Sequence, residues 1–105
     1  MERYPIHELR QEGKAYFEFL RTKDLSAGVY RLLAGATDSQ GPHTEAEIYY
    51  VVSGRARFVA GERDVSVSTG DILFVPPNEP HRFHDIADDL ELLVFFAPAE
   101  GTSGL

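Results

Sequence analysis

The 105-residue sequence contains no cysteine, which excludes disulfides, thiolate metal ligands and a cysteine nucleophile. Basic residues are few: Lys and Arg total 10 against 17 Asp and Glu, a formal net charge of −7. Such a surface repels phosphate backbones, so no nucleic-acid partner is expected. Long apolar runs are also missing. None approaches the ~20 residues of a membrane helix, so no membrane partner is expected. The first ten residues alternate charged and apolar types, and no signal peptide is read there. There is no P-loop, dinucleotide fingerprint or Gly-x-Ser-x-Gly elbow to support phosphate binding or serine catalysis. A cytoplasmic protein is the simplest expectation.

What is present is a strand pattern. A chain of this length fits one domain and buries roughly 65% of its unfolded surface, enough for one modest core. β-forming runs recur over residues 15–20, 26–34, 48–52, 55–60, 65–68, 72–75, 82–86 and 91–96, with glycine, proline or polar residues between them. Ser53-Gly54 reads as one such turn, and Pro76-Pro77 stops a strand because proline cannot donate to a ladder. Short strands at this spacing predict an all-β sandwich or barrel, not βαβ units. Residues 1–13 read as a short helix or arm. The domain core is expected over residues 15–98, with 99–105 a flexible tail.

Residues 41–54 hold the chemistry: a polar, turn-prone run with His43, Glu45 and Glu47 leads into the dense β-former run 48–52. Residues 70–85 bring a second histidine, His81. Two imidazoles and a carboxylate are a donor set that divalent transition metals accept. Four residues of straight strand would separate His43 from Glu47 by about 13 Å, so the chain must bend near Gly41-Pro42 for both to reach one ion. His84 has parity opposite to His81 and is expected to point elsewhere. Tyr49, Val51, Phe74 and Phe83 read as cavity lining or plain core. Arg31 reads as a surface arginine or an inward anchor for an anionic substrate, and Asp85 as a turn residue.

These two stretches resemble the paired motifs of the cupin superfamily. In the first, His43 matches the second motif histidine, with Glu47 and Gly54 in register. In the second, Gly70, Pro76 and His81 fall in register, with Asn78 replacing a glycine and Asp85 a final asparagine. The resemblance implies a double-stranded β-helix, or jelly-roll β-barrel, holding one divalent metal (Fe, Mn, Zn or Ni) on His43, Glu47 and His81. Gly41 occupies the place of the first motif histidine, which leaves Gln40 or Glu45 as substitutes. A second alignment sets His43 in the first histidine's place and Glu45 in the second's. The resemblance further implies a homodimer and a small-molecule substrate. The reaction expected is dioxygenation or another metal-assisted step, with Glu45 as the catalytic proton carrier. The alternative is a non-enzymatic binding or sensing barrel.

Overall fold

Period-two alternation produces six antiparallel strands. The computed structural model describes residues 1–101. An N-terminal arm carries a single 3-10 turn, Ile6–Glu8. The strands follow as β1 (Tyr16–Arg21), β2 (Ser26–Leu32), β3 (Ala46–Ala60), β4 (Arg63–Ser68), β5 (Ile72–Val75) and β6 (His81–Ala97). They pair in the order β1-β2-β6-β3-β4, with β5 on the free side of the first half of β3. The result is the expected all-β double-stranded β-helix of jelly-roll type.

Two expectations are corrected by the long strands. Ser53-Gly54 is not a turn, because β3 runs unbroken for 15 residues. Residues 82–86 and 91–96 are likewise one strand of 17 residues, β6. Both strands bend instead of ending. The register of β3 on β6 shifts three times between Val51 and Arg57, and the buried face of β3 changes from Glu47, Tyr49 and Val51 to Ala56 and Phe58. In β6 the buried face changes from His81 and Phe83 to Ile86, Leu90, Leu92, Val94 and Phe96, with Asp85 at φ 46° where parity switches. An alternation that breaks mid-run looks like a turn in sequence, but bulges break it equally well.

The bends divide the strands into two layers. The first half of β3 lies between β5 and the second half of β6, which carries β2 and β1 outward. The second half of β3 lies between β4 and the first half of β6. One apolar cluster, including Tyr30, Tyr49, Val51, Phe58, Val67, Phe83, Leu92 and Val94, fills the space between them.

Two further expectations change, and the choice left open at Arg31 is decided. Phe74 is 63% exposed on the outer face of β5, so it neither joins the core nor lines the barrel interior. Arg31 does not face the interior. Its guanidinium pairs with Glu91 at 2.7 Å and donates to the Leu9 and Ile6 carbonyls, which pins the arm to the sheet. The segment after β6 is held and not loose at its start: Ala99 is buried, and Glu100 N–H donates to Ser26 Oγ at 2.9 Å. Residues 102–105 of the expected tail lie outside the described residues.

Candidate metal centre

His43 stands on the loop before β3, and Glu47 sits one residue inside that strand. His81 opens β6. The two motif loops are clamped together by a backbone hydrogen bond, Asn78 N–H to His43 O at 2.7 Å. Asn78 adopts φ 67°, the left-handed conformation that asparagine tolerates better than most residues. This clamp draws both imidazoles to Glu47. One ligand-capable atom from each of His43, Glu47 and His81 lies within 4.8 Å of the other two.

The details of His81 define the chemistry. Its Nδ1 lies 2.8 Å from the Glu79 carbonyl, which only accepts, so Nδ1 carries the proton and donates. In the neutral ring Nε2 is then a lone pair. Nε2 lies 3.0 Å from Glu47 Oε1, and both side chains are 1% exposed. The contact is close but lacks hydrogen-bond geometry. Nε2 and both Glu47 oxygens are buried without a hydrogen-bond partner among the described residues. A lone pair against a carboxylate in a buried site is unfavourable unless something positive joins them, either a proton or a metal ion.

Burial by itself lowers the His81 pKa, but the Glu47 carboxylate, the Glu79 carbonyl and the charge of Asp38 outweigh it, and the net shift is upward. A raised folded pKa means that proton binding stabilises the metal-free fold below the unfolded value of about 6.5, and that this contribution is lost as pH rises through the folded value. A metal ion needs the unprotonated ring, so its affinity runs the other way and weakens as pH falls through the same range. Thermal melts with chelator and with cobalt(II), from pH 5 to 9, should show the cobalt-induced gain growing with pH. A gain that is flat across this range would exclude His81 as the competing site.

His43 faces oxygen on both sides: Gln40 Oε1 is 3.2 Å from Nε2, and Glu100 Oε2 is 3.4 Å from Nδ1. Both neighbours line the same cavity of about 230 Å³, with Tyr16, Tyr30, Glu47, Tyr49, Val94 and Phe96. Burial, opposed by His43, raises the Glu100 pKa. Glu100 escaped sequence reading because it sits in a small, polar, glycine-rich segment. Its anchors, Ser26 and Arg21, come from distant strands.

The remaining sequence candidates lie elsewhere. Glu45, expected as the catalytic proton carrier, is 2% exposed, accepts from Thr44 Oγ1 at 2.6 Å, and is not on the cavity wall. His84 points away as expected, bonding Asp64 at 3.0 Å and Asp85 at 3.1 Å. Tyr49, Val51 and Phe83 are fully buried.

A bent antiparallel barrel with two imidazoles and a carboxylate converging inside it defines the class: a small β-barrel protein with a candidate site for a divalent metal. The cupin-domain family model matches residues 28–97, and the chain belongs to that family. An uncharacterized protein of Streptomyces coelicolor, SCO3923, is 43% identical over 104 residues, covering 95% of this chain and 99% of that protein. Among solved structures, a double-stranded β-helix protein from Klebsiella pneumoniae superposes with TM-score 0.80 at 19% identity, over 93% of this chain and 90% of that one. The TT1209 protein of Thermus thermophilus superposes with TM-score 0.76 at 24% identity, over 94% and 99%. At these identities the solved structures bear on the fold alone.

Proposed function

We propose that this cupin binds one divalent transition metal on His43, Glu47 and His81 and acts on a small organic molecule in the adjoining cavity. The observation that carries the metal reading is the buried group of His81 Nε2 and the two Glu47 oxygens, none of them hydrogen-bonded among the described residues. Two donors held about 2.1 Å from one transition-metal ion would stand roughly 3.0–3.4 Å apart. That matches the Nε2–Oε1 separation of 3.0 Å.

The cavity wall carries the carboxylates of Glu47 and Glu100, three phenols and no Lys or Arg. With no Lys or Arg on the wall, the metal itself is the positive group available to a substrate oxygen. A bound divalent metal supplies a Lewis acid that polarises a substrate oxygen. Within the chain, Glu100 is the carboxylate facing the cavity whose pKa is raised toward the working range of a proton carrier, and it suits that role better than Glu45. Val94 and Phe96 hold the apolar part of the substrate. Metal analysis of untagged protein, followed by oxygen uptake and turnover of small phenols and diketones, tests the proposal. Protein that neither carries nor takes up a divalent ion would end it.

A second reading is non-enzymatic capture of a small molecule. The Tyr16 hydroxyl favours it, being buried on the cavity wall without a hydrogen-bond partner among the described residues. Ligand retention with no turnover by metal-loaded protein would select this reading. A homodimer also belongs to the proposal. Ile48, Tyr50, Ile72, Phe74 and Phe95 leave a continuous apolar face across β5, β3 and β6, each at least 38% exposed. Light scattering is expected to give a dimer that Phe74→Glu splits; a monomer at all concentrations would contradict it.

A further inference from the structure

A metal held on two histidines and one glutamate leaves unexplained what stands at Gly41, where the family motif has a third imidazole. Gly41 has no side chain to offer. Glu45 is not in the group that His43, Glu47 and His81 form. Glu100 is not among the carboxylates within 4.8 Å of all the other ligand-capable atoms. The neighbour of Gly41 in sequence is Gln40, whose amide is held in one orientation.

That orientation follows from hydrogen bonding. Gln40 Nε2 lies 3.1 Å from Asp38 Oδ2 and 2.7 Å from the Tyr49 hydroxyl. A carboxylate only accepts, so the NH₂ group must face Asp38 and the carbonyl oxygen must face away. Asp38 is itself fixed. It is 5% exposed and accepts from Tyr30 OH at 2.6 Å and from Phe83 N–H at 2.9 Å. Gln40 Oε1 is thereby turned to His43 Nε2, at 3.2 Å, on the wall of the cavity that holds Glu47. With Glu100 on the other nitrogen at 3.4 Å, the ring has an oxygen at each end, whereas a neutral imidazole has only one N–H to give. Something positive, a proton or a metal ion, must join the ring to one of the oxygens, the same choice that His81 and Glu47 present.

We propose that the Gln40 side-chain carbonyl takes the place of the missing imidazole and is a protein ligand to the same metal, with Asp38 and Tyr49 as its positioning residues. The inference rests on the metal reading above. It gives this barrel a shell of two nitrogens and two oxygens, harder than a three-histidine shell and better suited to manganese or iron than to copper.

Cobalt(II) titration of wild type, Gln40→Leu and Gln40→Glu, by calorimetry and visible absorption, tests it. Gln40→Leu should bind at least about tenfold more weakly, with altered cobalt bands, because a ligand is lost. Gln40→Glu keeps an oxygen in place but sets a charge beside Asp38. It should melt below wild type when metal-free and gain more from cobalt than wild type does. If Gln40→Leu binds cobalt as wild type does, or more weakly with unchanged bands, Gln40 is no ligand and the inference falls while the metal reading stands. If wild type binds no cobalt, both fall together.

Discussion

Glu47→Gln protein, stripped of metal, is expected to be more stable than wild type and yet to bind cobalt(II) at least 100-fold more weakly. Glu47 is 1% exposed, and neither of its oxygens has a hydrogen-bond partner among the described residues. A buried carboxylate in that state is a standing cost to the fold of several kcal/mol. Glutamine has the same shape without the charge, so relief of about 1–2 kcal/mol is expected, read by urea denaturation with chelator present. The measurement belongs at alkaline pH, where His81 is neutral and loses no ion-pair partner. Calorimetry then reads the other half, because a neutral amide is a poor replacement for an anionic ligand. Opposite signs in the two assays are the mark of a residue kept for binding at the expense of stability. A metal-free variant less stable than wild type, or one with undiminished cobalt affinity, would assign Glu47 a purely structural part.

The candidate site was legible in sequence to the extent that it depends on local spacing. His43, Glu47 and His81 stand at motif positions, and Asn78, in the place of a motif glycine, adopts the left-handed conformation that glycine would. Most strand runs were legible too, because half-buried strands alternate and turns break them. What spacing does not encode is where two distant backbones touch. Ser53-Gly54 has turn composition, and only the approach of β6 shows it to be a kink within β3. Phe74 has the composition of a core residue, but β5 is an edge strand whose outer face no other element of the described chain covers. Glu100 is one acidic residue in a polar tail until Ser26 and Arg21 are seen to hold it.

The second large effect is expected at that kink. Gly54 adopts φ 105°, a conformation that L side chains rarely take. A Cβ there would lie 2.4 Å from Asp89 O and 2.9 Å from Leu90 Cα, both backbone atoms of β6. Neither obstacle is a side chain that can swing aside, so alanine must push two paired strands apart as well as strain its own backbone. The expected loss is roughly 3–5 kcal/mol, enough to unfold a marginal domain at room temperature. The consequence reaches the metal centre. In the β3–β6 register His81 pairs with Ala60, while Glu47 lies 13 residues earlier on β3. On a straight strand that separation would be about 43 Å. The observed contact is 3.0 Å, because the bends in β3 and β6 roll the two ends together. Gly54→Ala should therefore lower the midpoint of denaturation and weaken cobalt binding together, although residue 54 is not itself among the clustered ligands. Cobalt should also restore part of the lost stability, since it binds only the rolled form. Wild-type melting by Gly54→Ala protein would mean that the kink does not depend on glycine, and the link from bend to site would be broken.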